Sequence, residues 1–200
     1  MKKKLWPFLF LLLAAPCTWS QTWDIDALHK VNSWDTPFAR HYNKGLSVSE
    51  PYVAIGVPVA IALAGWAKHD RELLSDALYI GTSVAEAFVV TYGMKYLADR
   101  ERPYDRYPGR VHPFSTESSP SFPSTHTATA FALATSLSIR YPKWYVIAPS
   151  ALWACSVGVS RMQQGVHYPS DVLAGAAIGA GCAVVNIYVN RWLNKVLFGR

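Results

Sequence analysis

The chain has 200 residues, of which 51% are hydrophobic, 14% aromatic and 16% charged, and its formal net charge is +6. This length allows one domain with a sizeable core, and the low charged fraction favours a membrane protein over an ordinary soluble one. The positive charge does not indicate nucleic-acid binding: apart from the lysine run at positions 2–4, the cations are scattered singly at segment ends.

The cysteines do not have the spacing of a metal site. Cys17 lies in the N-terminal apolar stretch, whereas Cys155 and Cys182 lie within separate apolar segments among small residues. Zinc and iron–sulfur sites need closely spaced cysteine or histidine pairs, which this chain lacks. We interpret Cys155 and Cys182 as small buried hydrophobic residues and expect neither a metal ion nor another cofactor.

Residues 1–20 have the pattern of a secretory signal peptide. A lysine-rich start precedes an apolar stretch from Leu5 to Pro16, and small residues precede Gln21. This pattern predicts cleavage between Ser20 and Gln21. The alternative is a first membrane helix that stays attached, although the apolar run is shorter than the about 20 residues that a span needs. In both cases the chain from Gln21 begins outside the cytoplasm.

The segment from Trp23 to Asn43 is amphipathic and is interrupted near Asp35 and Pro37. It predicts two short interfacial or packing helices. No residue in this segment has a pattern that indicates chemistry.

Long apolar segments make up most of the remaining chain. The predicted helices are Tyr52–Ala67, Leu73–Leu97, Thr125–Ile139, Trp144–Val159 and Val172–Val189. The segment from Asp99 to Pro123 is rich in Pro, Ser and Arg and has no apolar periodicity. At about 25 residues it is longer than most connections in compact domains, which is typical of a functional loop.

The predicted helices have the length and composition of membrane spans. They are rich in small residues that allow close helix packing. If Gln21 lies outside and successive helices cross the membrane in alternate directions, the segments on the inner side are residues 68–72, 140–143 and 191–200. Their cations are Lys68, Arg71, Arg140, Lys143, Arg191, Lys195 and Arg200. This excess of cations on the inner side is what the positive-inside rule expects. The alternative is a soluble, all-helical periplasmic protein.

If Gln21 lies outside and the helices cross the membrane alternately, three polar stretches lie at the outer face. They are Lys95 with Arg102, the stretch Pro123–His126, and the stretch Ser160–Asp171. Each has an ordinary structural explanation by itself: interface cations, a helix start and a structural histidine. No topology rule requires all three to lie on one face, so their coincidence predicts a shared site.

The second and third stretches have features that suit an anionic ligand. Ser124 is predicted to cap a helix whose free N–H groups and dipole favour an anion, and His126 lies in its first turn. Pro169 suits the first position of the next helix, with Asp171 in its first turn. A carboxylate there can accept the Nδ1–H of His167 and leave its Nε2 free to attack.

Together the three stretches resemble the motifs of the type 2 phosphatidic acid phosphatase (PAP2) family, K-x6-RP, PSGH and SR-x5-H-x3-D. Lys95 is followed after six residues by Arg102-Pro103, and Ser160-Arg161 after five residues by His167 and after three more by Asp171. The middle motif reads Pro-Ser-Thr-His, so Thr125 replaces the glycine of the family. Three ordered motifs are far more specific than one.

The resemblance implies an all-α, membrane-embedded helical bundle of about five to six spans, with residues 21–200 forming one phosphatase domain. His167 would be the nucleophile that becomes a phosphohistidine, and Asp171 would orient it. His126 would protonate the leaving alkoxide and then activate water. The residues implied to bind phosphate are Lys95, Arg102, Ser124, Thr125 and Arg161. Because these cations supply the electrostatic stabilisation, no metal is implied.

The activity implied is hydrolysis of lipid phosphates or pyrophosphates at the periplasmic face of a bacterial inner membrane. The substrates implied are phosphatidic acid, phosphatidylglycerol phosphate, undecaprenyl pyrophosphate and lipid A phosphates. The expected partners are this lipid and the membrane lipids, with no nucleic acid and no obligate protein partner. The alternatives are a soluble periplasmic acid phosphatase, a vanadate-dependent haloperoxidase, for which the chain is short, and a non-catalytic membrane protein. His112 is a weaker site candidate.

Overall fold

The computed structural model describes residues 21–198, in which the backbone forms seven helices and no strand. These are α1 (Gln21–Asn32), α2 (Pro37–Ala67), α3 (Arg71–Ala98), α4 (Pro103–Arg106), α5 (Thr125–Arg140), α6 (Trp144–Gln163) and α7 (Pro169–Phe198). The predicted all-α class is confirmed. The predicted signal peptide or first membrane helix at residues 1–20 lies outside the described residues.

Within residues 21–198, three segments are long and apolar enough to cross a membrane: Pro37–Ala67, Arg71–Arg106 and Pro169–Arg191. The expected count of five to six spans is therefore not confirmed. Helix α5 has 16 residues, which at about 1.5 Å per residue gives about 24 Å. This is shorter than the hydrocarbon core of a bilayer, which is about 30 Å thick.

Helix α2 differs from the prediction for this part of the chain. A second short helix and a separate span beginning at Tyr52 were expected, whereas one helix of 31 residues continues through Pro51 and Pro58. Thr36 caps it by accepting the N–H of Ala39 at 3.1 Å. Each internal proline removes a backbone hydrogen bond. The helix continues nevertheless, and buried residues recur at helical spacing along its inward face. This face consists of Asn43, Ser47, Glu50, Ala54, Pro58 and Gly65.

Close packing of α5 against α7 brings the N-termini of these two helices together. A Cβ atom added to Gly175 would lie 2.5 Å from the carbonyl oxygen of Ser124, and one added to Gly179 would lie 2.0 Å from that of Ala128. Only glycine lets two helix backbones approach so closely. As a result, the N–H of Ser124 donates to the carbonyl oxygen of Asp171 at 3.1 Å.

The main core lies among α2, α3, α5 and α7 and includes Tyr79, Ile80 and Leu133. Cys182 is buried there, as predicted, whereas Cys155 is exposed on α6, so that prediction was wrong. The reason is its helical position, because the neighbouring inward positions of α6 are Ala154 and Val157.

Helix α1 holds the long loop between α3 and α5 against the bundle. Asn32 donates its amide to the carbonyl oxygens of His112 at 2.9 Å and Gln163 at 2.8 Å, and it accepts the N–H of His112 at 2.9 Å. The amide of one buried side chain thus joins the loop, the end of α6 and α1. This loop carries Glu117 and Ser119, which line the polar end of a cleft between α2 and α3.

Candidate active site

A cleft of about 990 Å³ lies between α2 and α3 and ends where α5 begins. Its walls along the two helices are apolar and include Ile55, Val59, Leu78 and Phe88. Its polar end is lined by Lys95, Glu117, Ser119, Thr125, His126 and His167. The cleft therefore has an apolar length and a cationic, histidine-containing end, which suits a ligand with a tail and an anionic group.

His167 lies in the connection between α6 and α7 and is 1% exposed. Its Nδ1 is 3.4 Å from Asp171 Oδ2, which is long for a hydrogen bond, and its Nε2 is 3.4 Å from Nη1 of Arg102. Burial is the main cause that lowers the pKa of His167 to about 3, and the charges of Arg102 and Arg161 act in the same direction, while Asp171 acts against it. The ring is therefore neutral at pH 7, the state that a nucleophile requires.

Asp171 is fully buried and held by donors on both oxygens. Arg100 donates to Oδ1 at 2.5 Å, the N–H of Tyr168 donates to Oδ2 at 2.9 Å, and the hydroxyl of Ser121 also donates to Oδ2. This arrangement holds the carboxylate ionised and oriented beside His167. Arg100 and Ser121 were not predicted from the sequence, because neither belongs to the three motifs.

Arg100 also connects Asp171 to α1. Its Nη2 donates to the buried Asp24 at 2.9 Å, and Asp24 accepts the N–H of Ser170 at 3.0 Å. Asp24 lies in the segment for which no chemical role was predicted. No local pattern identified it, because its partners are 76 and 146 positions away.

Arg102 and Arg161 are each 2% exposed and converge on one carboxylate. Arg102 donates to Oε2 of Glu117 at 2.8 Å, and Arg161 donates to Oε1 of the same residue. Arg102 is further held by the carbonyl oxygens of Ser119 and Val166, each at 2.8 Å. The two predicted phosphate-binding arginines are thus brought together, with the carboxylate of Glu117 between them.

Lys95 and Thr125 both line the polar end of the cleft. Lys95 is 3% exposed and donates to the carbonyl oxygen of Pro120 at 2.6 Å. The hydroxyl of Thr125 is buried and has no hydrogen-bond partner, so it is free to donate to a ligand. The threonine that replaces the glycine of the motif thus adds a polar group to the cleft.

Ser124 precedes α5 as predicted but lies behind the cleft wall. It is fully buried, its hydroxyl accepts from Thr127 at 2.9 Å, and its N–H donates to Asp171. The side chain does not cap the helix. Of the predicted site residues, those that line the cleft are Lys95, Thr125, His126 and His167, and those that do not are Arg102, Ser124, Arg161 and Asp171.

Helix α2 contributes two polar residues that the sequence did not single out. Glu50 is 2% exposed, lines the cleft and accepts the hydroxyl of Thr129 at 2.7 Å. Ser47 accepts from Arg161. A carboxylate within an apolar span is a signal of function that could have been used to find Glu50. His112 is exposed and does not line the cleft.

Among the described residues, no group of three or more His, Cys, Asp or Glu side chains is arranged to hold a metal ion.

The sequence model of the PAP2 superfamily matches residues 76–195. The chain belongs to the PAP2 superfamily. The family inferred from the three motifs is confirmed.

The chain is similar to several bacterial lipid phosphatases. It is 38% identical over 93 residues to a lipid A 1-phosphatase of Porphyromonas gingivalis, an alignment that covers 45% of this chain and 20% of the relative. It is 32% identical over 117 residues to a lipid A 1-phosphatase of Rhizobium etli, with 56% and 49% covered. It is 28% identical over 146 residues to the undecaprenyl-diphosphatase BcrC of Bacillus subtilis, with 69% and 72% covered. The chain thus spans half or less of the two lipid A phosphatases.

Two crystal structures share the fold. The first is LpxE of Aquifex aeolicus, with a TM-score of 0.69 and 23% identity, covering 82% of this chain and 94% of that chain. The second is a transmembrane PAP2-type phosphatidylglycerolphosphate phosphatase of Bacillus subtilis, with a TM-score of 0.72 and 24% identity, covering 93% and 94%. These likenesses establish the helical membrane fold of the family for this chain.

Proposed function

We propose that this protein is a phosphatase that hydrolyses lipid phosphate or pyrophosphate esters through a covalent intermediate on His167. The observation that carries this proposal is the two-part cleft: its apolar walls belong to candidate membrane spans, and its polar end is lined by Lys95, His126 and His167. Glu117 lines the same end and accepts from the buried Arg102 and Arg161. A lipid phosphate matches both parts, because its chains can lie along the walls while its phosphate reaches the cations. Membership in the PAP2 superfamily supports the same activity.

In the proposed reaction, Lys95, Arg102 and Arg161 bind the non-bridging oxygens of the phosphate, and the free hydroxyl of Thr125 donates to one of them. Nε2 of His167 attacks phosphorus, so that a P–N bond forms as the P–O bond to the lipid breaks. Asp171 stabilises the charge that develops on the ring of His167.

His126 acts in both half-reactions, which are the formation of the phosphohistidine and its hydrolysis by water. In the first, it donates a proton to the departing lipid oxygen. In the second, it removes a proton from a water molecule that attacks phosphorus, which breaks the P–N bond and returns His167 to its neutral form. Inorganic phosphate then leaves.

We further propose that the cleft faces the periplasm from a bacterial inner membrane. The charges support this orientation: the predicted inner segments are rich in Lys and Arg. Arg140, at the opposite end of α5 from His126, lies in such a segment and pairs with Asp76. Lipid A phosphates and undecaprenyl diphosphate, the substrates in the names of relatives, are the first candidates alongside phosphatidic acid and phosphatidylglycerol phosphate.

The test is release of inorganic phosphate from these four lipids by the purified protein in detergent. We expect turnover of at least one lipid, and no inhibition by EDTA, because arginine and lysine supply the positive charge that metal ions supply elsewhere. Absence of turnover on every lipid would contradict the proposal. Release of the protein from membranes by carbonate would favour the soluble alternative.

Filling the apolar part of the cleft is expected to distinguish lipid from soluble substrates. Ala85 on α3 lines the cleft, and a tryptophan there would displace part of the lipid chain. Loss of contact with about two methylene groups, at about 0.8 kcal/mol each, would raise KM for a long-chain lipid phosphate about tenfold. KM for a short soluble phosphate ester should not change.

Ala60→Trp is the matched control for Ala85→Trp. Ala60 is exposed on α2 and does not line the cleft, so the same substitution there should leave both KM values unchanged. Equal KM changes for long and short substrates in Ala85→Trp would count against binding of lipid chains along this wall.

A further inference from the structure

Glu117 occupies the position between two arginines where a phosphate is expected. One of its oxygens accepts from Arg102 and the other from Arg161, so one planar carboxylate joins two guanidinium groups. Both arginines are almost completely buried, whereas the side chain of Glu117 is 27% exposed. The movable member of this cluster is therefore the carboxylate.

The backbone of Glu117 is anchored independently of its side chain. Its N–H donates to the hydroxyl of Tyr104 at 3.1 Å, and its carbonyl oxygen accepts from the same hydroxyl at 3.0 Å. These bonds attach the residue to α4. The carboxylate can consequently leave the arginines by side-chain rotation alone, without movement of the loop.

Two buried cations without a counter-ion would be strongly unfavourable in the empty site. Removal of one partner from a buried ion pair leaves an uncompensated charge, which is far more costly than the pair itself is favourable. Glu117 supplies that counter-ion while no phosphate is bound. When a phosphate binds, a carboxylate in the same place would repel it, so the two anions compete for the arginines.

We propose that Glu117 is an internal substitute for the substrate phosphate. In the empty enzyme it holds Arg102 and Arg161 in the geometry that binds a phosphoryl group. It rotates away when substrate binds, and its return to the arginines promotes release of inorganic phosphate at the end of the cycle. Glu117 is thus a positioning residue for the reaction proposed above, on which this inference rests.

The proposal predicts two effects of opposite sign for Glu117→Gln. The empty variant should have a lower melting temperature, because the arginines lose their charged partner. The variant should also bind inorganic phosphate about tenfold more tightly than the wild type, because the competing charge is gone. The KM of Glu117→Gln for a lipid phosphate should fall for the same reason. The kcat should fall as well if release of inorganic phosphate limits turnover.

Glu101→Gln is the matched control, since Glu101 lies exposed in the same loop and lines no part of the cleft. It removes the same charge and should leave the melting temperature and phosphate affinity unchanged. Glu117→Asp keeps the charge on a shorter side chain and should bind phosphate with intermediate affinity. That variant carries the test if Glu117→Gln does not fold.

The measurements are titration calorimetry with inorganic phosphate and thermal unfolding in detergent with and without phosphate. Unchanged or weaker phosphate binding in Glu117→Gln, with lipid turnover retained by the wild type, would overturn this inference and leave the proposed function standing. If the wild type neither binds phosphate nor turns over any lipid, the proposed function fails, and this inference fails with it.

Discussion

His167→Ala is expected to reduce phosphate release from any lipid substrate by at least about 10³-fold, because the variant has no atom that can form the covalent intermediate. The low pKa of His167 keeps its ring neutral, and its Nε2 faces Arg102, so the proposed nucleophile lies next to a proposed phosphate-binding cation. Removing the ring also leaves Asp171 with its other donors, Arg100, Ser121 and Tyr168. The variant should therefore fold.

The measurement for His167→Ala is the steady-state rate of phosphate release, with melting temperature as the check on folding. His112→Ala is the matched control, because His112 is exposed in the long loop between α3 and α5 and does not line the cleft. It should retain wild-type turnover. A folded His167→Ala protein that released phosphate at the wild-type rate would refute the assignment of His167 as nucleophile.

His126→Ala is expected to reduce lipid turnover by about 10²- to 10⁴-fold, the range for loss of a general acid–base group. Burial is the main cause that lowers the pKa of His126 to about 4, and Lys95 and Arg102 act in the same direction. A bound phosphate places negative charge beside the ring and raises this pKa. His126 can then donate a proton in the first half-reaction and accept one in the second.

The two half-reactions can be separated in His126→Ala with an aryl phosphate whose leaving phenol needs no proton. We expect one equivalent of phenol to be released rapidly and the phosphohistidine to persist, because no base activates water. The intermediate would be measured as acid-labile, base-stable phosphate on the protein. A variant that turns over the aryl phosphate at the wild-type rate, without accumulation, would contradict the role of His126 in hydrolysis.

The residues predicted from the sequence are those whose chemistry follows from local spacing. His167 and Asp171 are four positions apart across the start of α7, and Thr125 and His126 lie in the first turn of α5. Such short-range relations are set by helix geometry and are readable without a fold. For this reason α3, α5 and α6 were predicted close to their observed positions, whereas α2, which continues through Pro51 and Pro58, was not.

The residues that sequence reasoning missed act through long-range contacts. Glu117 reaches Arg161 across 44 positions, and Asp24 reaches Arg100 across 76. Neither has a distinctive local pattern, although Glu117 is the one acidic residue between positions 106 and 123. A carboxylate at such a position has no visible partner until the loop and the helices are packed together.

The amino-acid sequence by itself determined the helical class, the superfamily and the order of the motifs, because apolar periodicity and motif spacing are local properties of the chain. The sequence also predicted that the three motifs share one site, but only the tertiary structure decided which of their side chains line one cleft, namely Lys95, Thr125, His126 and His167. The physical reason is the packing of α5 on α7 through Gly175 and Gly179, where nothing larger than hydrogen fits between the backbones. The same packing left Ser124 behind the cleft wall, and folding of the long loop placed Glu117 on the arginines.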